Sequence, residues 1–211
     1  MAKGGPSTRD RQMRLRIAQE AARLIATEGV RDFLVAKRKA AARLGAPDTH
    51  NLPRNTEVEA ELGAYQRLFQ AASQPQRLRR LREAALAAMR FFADFSPRLT
   101  GSVLSGTAGA HSDVNLHLFA DTPEAVILQL IDANIPFEDD ERCFRFGRGE
   151  ESESLPTLRF LADDISIELV IFPGSGLRQA PRSPLDGRPM ERANAARVEA
   201  LLAGGEQCLF D

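Results

Sequence analysis

Hydrophobic and polar positions alternate with two different periods along this chain, and the change comes near Pro97. Before it, apolar residues recur every three or four positions, the helical spacing. Met13, Ile17, Ala21, Leu24 and Ile25 form one stripe in a segment predicted as a helix from about Thr8 to Glu28, with Gly29 as its stop. A second helix is predicted from about Asp32 to Leu44, closed by Gly45 and Pro47. A third starts at a capping box formed by Thr56 and Glu59 and buries Val58, Leu62, Tyr65, Leu68 and Phe69. Ser73 with Gln76 repeats the capping pattern before a fourth stripe, Leu78, Leu81, Ala85, Met89 and Phe92.

After Pro97 the period shortens towards two. Strands are predicted over 98–101, 112–120, Phe137–Phe146, Leu155–Leu161 and Ile165–Phe172, with Asp163-Asp164 as a tight turn before the last. A helix from Thr122-Pro123 to about Asn134 and a final one over about Met190–Ala203 complete the pattern. In Ile165–Phe172 the alternation sends Ile165, Ile167, Leu169 and Ile171 to one face and Ser166, Glu168 and Val170 to the other. The organisation expected is a disordered lead-in at 1–7, a helical N-terminal region at 8–94, and an α+β domain at 95–211 ending in a helix.

Composition narrows the class. With 211 residues and 43% hydrophobic residues the chain can bury a core, and no apolar run reaches the roughly 18 residues of a membrane span. The start, MAKGGPSTRDRQ, lacks the apolar stretch of a secretory leader, so the expected compartment is the cytoplasm and no membrane partner is expected. Two cysteines, Cys143 and Cys208, are expected to be buried or inert thiols and suggest neither a disulfide framework nor a zinc site. The net charge of −1 conceals 18 Lys and Arg against 9 acidic residues in 1–90, and 10 against 20 in 91–211. The basic run Lys37, Arg38, Lys39 and Arg43 is therefore a candidate contact for RNA, with attraction between the two halves as the alternative.

The chemistry concentrates in Leu99–Leu118, LTGSVLSGTAGAHSDVNLHL. Gly101 and Ser102 close a strand, Gly106 lies in the turn, and Ser112, Asp113, Asn115 and Leu116 follow on a second strand. Alternation puts Asp113, Asn115 and His117 on one face while Val114 and Leu116 point to a core. This register resembles the signature of the DNA polymerase beta-like nucleotidyltransferase superfamily, a Gly-Ser turn followed by Ser-Asp-x-Asp-Leu, with Asn115 where the second carboxylate stands. The resemblance covers roughly residues 85–175 and implies a palm-type mixed sheet flanked by helices, here preceded by an all-helical region. It also implies metal-dependent transfer of a nucleoside monophosphate from an NTP to an acceptor hydroxyl on RNA, protein or a small molecule. Asp113 and Glu168 would be catalytic and, with Asn115, would hold Mg²⁺ or Mn²⁺, while Gly101 and Ser102 would hold the phosphates. Because Asn115 removes one charge from the metal site, the alternative is a degenerate palm that binds nucleotide or RNA as a regulatory module.

Overall fold

The computed structural model describes residues 8–147 and 152–207; the expected lead-in at 1–7 and Cys208 lie outside them. The chain divides into two compact units. The first comprises residues up to Gln74 with the short segments Gly109–His111 and Pro184–Asp186, and the second contains the rest.

Three helices build the first unit: α1 (Thr8–Glu28), α2 (Phe33–Arg43) and α3 (Asn55–Phe69). Its core is rich in alanine: Ala18, Ala21, Ala22, Ala26, Ala36, Ala40 and Ala41 are buried beside Ile17, Leu24, Val58 and Leu62. Such small side chains let helix backbones approach closely while costing no side-chain entropy. Asp32 caps α2, its Oδ1 accepting the Val35 N–H at 2.8 Å. The cap of α3 lies two residues before the expected Thr56–Glu59 box: Glu57 accepts the Arg54 N–H at 2.7 Å and is itself held by Arg14 Nε at 2.9 Å. The Arg14 hydrogen bond is the main reason the Glu57 carboxyl falls to about 2, with burial opposing it and the Arg54 N–H adding to it. Gly29 ends α1 at φ +67°, and a side chain there would also strike the His111 ring, 2.8 Å from the position of a Cβ.

In the second unit, α4 (Gln74–Phe91) leads into β1 (Arg98–Thr100), α5 (Gly101–Ser105), β2 (Val114–Phe119) and α6 (Pro123–Asp132). There follow β3 (Phe137–Arg145), β4 (Ser152–Ala162), β5 (Ile165–Phe172) and α7 (Ala195–Gln207). The five strands form one mixed sheet in the order β1-β2-β5-β4-β3, in which β2 and β5 run parallel and the other neighbours antiparallel. The fold is α+β: a mixed sheet flanked by helices, with a helical region before it. The helical stretch is shared, since α1–α3 make the first core while α4 contributes Leu81, Ala85, Met89 and Phe92 to the second.

The sheet's two faces differ. One carries Leu99, Val114, Leu116, Leu118, Leu158, Phe160, Ile167, Leu169 and Ile171 into a core shared with α4, α6 and α7. On the other lie Asn115, His117, Glu168, Arg159 and Thr157, with an aromatic cluster of Phe119, Phe144 and Phe172 packed on Leu155 and Val170. The strand alternation of Ile165–Phe172 is as expected, and its bounds coincide with β5. Three details differ from expectation. β2 begins at Val114, so Asp113 stands just before the strand rather than within it. α7 begins at Ala195, not Met190, because Ala193 pairs with Leu99 through two backbone hydrogen bonds of 2.8 and 2.9 Å. Cys143 is exposed on β3 rather than buried.

Candidate functional site

Strand register gathers the polar residues of the sheet into one row. Thr100 pairs with Asn115, Asn115 with Glu168, Glu168 with Arg159, and Arg159 with Glu138. Laterally paired residues project from the same side of a sheet, so these five side chains share the polar face. Asp113 sits at the entrance to β2, half-buried, close enough to Arg159 to raise its pKa together with Glu168 and Glu138.

Gly101 follows Thr100 directly and opens α5 with φ +73°. A Cβ there would stand 3.3 Å from Asn115 Nδ2, so glycine serves both the left-handed backbone and the close approach of the turn to β2. Asn115 Nδ2 donates to the Asp113 carbonyl at 3.3 Å, and Thr100 Oγ1 donates to the Asn115 carbonyl at 3.4 Å. The Ser102 carbonyl accepts the Gly106 and Ala108 N–H groups at 2.9 and 3.1 Å, which closes the turn. Gly101 and the Asp113 carbonyl therefore meet Asn115 at the start of β2, Ser102 follows Gly101 in α5, and register brings Glu168 beside Asn115.

Glu168 is buried, 4% exposed, and neither oxygen is left to itself. Arg142 from β3 donates to Oε1, and Arg159 from β4 donates to Oε2 at 2.9 Å. Such hydrogen bonds to an ionised group are about twice as strong as neutral ones. Nothing in the linear sequence had marked Arg142 or Arg159 as site residues. The available signal was Arg159 itself, a charge inside the otherwise apolar run LPTLRFLA, which calls for a partner on the neighbouring strand.

As a metal site the donor set is chemically suitable: two carboxylates and an amide oxygen are the hard ligands that Mg²⁺ prefers. Among the described residues no three His, Cys, Asp or Glu side chains gather to hold a metal. Asp113 and Asn115 bring the oxygen donor types such a site would use. Glu168 fits it once an arginine yields one of its oxygens.

Two residues along β2 on the same face, His117 is 2% exposed. Its Nδ1 accepts from Arg192 Nε at 3.0 Å, and its ring packs against Phe172 and Phe144. Burial, with the charges of Arg192 and Arg142 adding to it, pushes His117 down to about 3, so it is neutral in the folded protein. It is a structural acceptor and not a solvated side chain.

The basic residues of α2 are largely spent within the first unit. Lys39 pairs with Glu28 at 2.7 Å, Arg43 pairs with Glu28 and Glu20 at 2.8 and 3.2 Å, and Lys37 donates to the Pro53 carbonyl and Asn55 Oδ1. Arg38 is exposed, and among the described residues no ion pair holds it. No helix among the described residues is long and apolar enough to cross a membrane. Neither a known protein-family model nor a curated protein matches the chain.

Proposed function

We propose that this chain is a nucleotidyltransferase-type protein with a palm-like sheet that binds an NTP on its polar face and transfers the nucleoside monophosphate to an acceptor hydroxyl. The observation that carries the reading is the pairing of Asn115 with Glu168 on parallel neighbours, with the Gly101-Ser102 turn packed against Asn115. Three sequence segments that only the fold brings together supply the Gly-Ser turn, the Asp-x-Asn entrance and a second carboxylate, Glu168. In this reading Asp113, Asn115 and Glu168 hold Mg²⁺ or Mn²⁺, which supplies charge neutralisation at the triphosphate and activation of the acceptor oxygen. The chain's own part is to place the phosphates at the Gly101-Ser102 turn and to receive the acceptor's proton on a carboxylate, Glu168.

The Arg142 and Arg159 contacts favour a second reading, a palm that retains nucleotide binding without turnover. Both oxygens of the Glu168 carboxylate are already engaged by guanidinium groups, and Asn115 has removed one negative charge from the set.

Calorimetry of ATP with and without Mg²⁺, alongside transfer from labelled NTPs to RNA, protein or small acceptors, separates the two. The expected result is Mg²⁺-dependent binding that falls about tenfold or more in Asp113→Ala, consistent with the loss of one charged ligand. Label in an acceptor assigns catalysis; binding without label assigns the regulatory palm. Binding that is indifferent to both Mg²⁺ and Asp113 would remove the metal-dependent site at Asp113 and Asn115.

A further inference from the structure

A buried carboxylate with a guanidinium on each oxygen has the charge and hydrogen-bonding pattern of one side of a bound oxyanion. Arg142 and Arg159 make that arrangement around Glu168. The two heads come from different strands and stay 49% and 37% exposed, so they can turn to a ligand arriving from solvent while Glu168 stays in place. The arrangement is also incomplete. Arg159 Nε–H lies on the same edge of its guanidinium as Nη2, is buried, and has no partner among the described residues. Ser166 Oγ, two residues before Glu168 on the same face, is buried without a partner among them as well. A carboxylate has two oxygens, and here they are divided between two arginines, so neither planar fork receives a matching pair. A phosphate presents three oxygens in a tetrahedron and can fill an arginine edge while still reaching a second donor.

We propose that Arg142 and Arg159 form a phosphate-binding pair that takes the triphosphate of a nucleotide directly, without a metal between, and that Glu168 is the internal anion competing for it. This rests on the nucleotide-binding reading above and names the side chains that recognise the phosphates. It carries a sign that a metal-ligand role for Glu168 does not share. Removing the charge of a metal ligand weakens binding of the metal–nucleotide complex, whereas removing the charge of a competitor tightens binding of the bare polyphosphate.

The test is calorimetric titration of the full chain with inorganic tripolyphosphate and with ATP, each in EDTA. Glu168→Gln is expected to bind tripolyphosphate about tenfold tighter than the parent, the equivalent of one charge-assisted contact released. Arg142→Gln with Arg159→Gln is expected to bind about tenfold or more weakly. Because that double variant leaves Glu168 buried and unpaired, the triple variant with Glu168→Gln is measured too and should not bind. No binding in EDTA by either the parent or Glu168→Gln overturns the proposal, as does a triple variant that binds as tightly as Glu168→Gln. Mg²⁺-dependent ATP binding that needs Asp113, with no binding in EDTA, refutes the arginine pair alone and leaves the nucleotide reading intact. Tripolyphosphate binding that ATP does not share supports the pair and refutes the nucleotide reading instead.

Discussion

The polar face of the sheet holds arginine in two opposite ways. At one end Arg142 and Arg159 are half-exposed and share a carboxylate, Glu168. At the other Arg192 lies over the rings of Phe172 and Phe119, 4.8 and 5.1 Å from their centroids. Its hydrogen bonds go to neutral acceptors, the carbonyls of Gly176 and Gln179 and Nδ1 of His117, and among the described residues no carboxylate pairs with it. Burial, with Arg98 nearby, pulls Arg192 down to about 10, which still leaves it charged at neutral pH. The contrast teaches that a guanidinium can be secured by aromatic faces and lone pairs when the task is to pin a loop to a sheet. An ion pair with exposed heads keeps the charge exchangeable. The first arrangement forces its histidine to be neutral; the second leaves its carboxylate dependent on partners that other anions can claim.

Breaking the ion-paired end should have the largest effect. Arg142→Ala with Arg159→Ala strands a buried carboxylate and is expected to cost about 3 kcal/mol in urea unfolding, the lower end for a broken buried pair because both heads are partly solvated. Stability equal to the parent would show that Glu168 reaches water easily and that the two ends differ less than their geometry suggests. At the closed end, Arg192→Ala is expected to cost about 2–3 kcal/mol through lost charged hydrogen bonds and ring contacts, offset in part by removing a desolvated cation. A cost below that of a typical surface arginine would mean that the aromatic seat contributes nothing.

The two ends should also separate by pH. The folded pKa of His117 is depressed, so below its unfolded value of about 6.5 the unfolded chain binds the extra proton and stability falls as pH falls, levelling off only near 3. The loss at pH 5 is expected to be about 2 kcal/mol, and His117→Asn, which can keep an acceptor for Arg192 without a titrating ring, should remove it. Parallel pH profiles for parent and variant would show that the ring reaches solvent before unfolding. The smallest effect belongs to Gly101→Ala at the open end, about 1 kcal/mol from a side chain at φ +73° set against Asn115. No measurable change would mean that the turn relaxes away from β2.

Sequence reading succeeded where side-chain direction is set locally. Every second residue of ISIELVIF meets an apolar core on one face, so the bounds of β5 and the orientation of Glu168 were legible from periodicity alone. It failed where distant partners decide. Arg192 and Ala193 look like a helix start, yet the first is drawn to His117 and the second to Leu99, and the helix waits until Ala195. Thr56 with Glu59 has the spacing of a capping box; the contact of Glu57 with Arg14, 43 residues earlier, favours the earlier cap at Arg54. Glu168 was found, but its arginines were not, because they depend on the register of β3 against β4 and of β4 against β5.

The Leu99–Ala193 pairing also bears on how the chain can be made. β1 lies at one border of the sheet, and its outward hydrogen-bonding groups at Leu99 are closed by a residue synthesised 94 positions later. Until that late segment has emerged, the border is an open template for a strand from another nascent chain. The opposite border, β3, is protected differently, since Glu138, Asp139, Asp140 and Glu141 repel a second copy of themselves from the moment they appear. Translation therefore leaves one border guarded early by charge and the other late by pairing. Chains stopped short of Ala193 should self-associate through β1, the more readily the longer they wait on the ribosome.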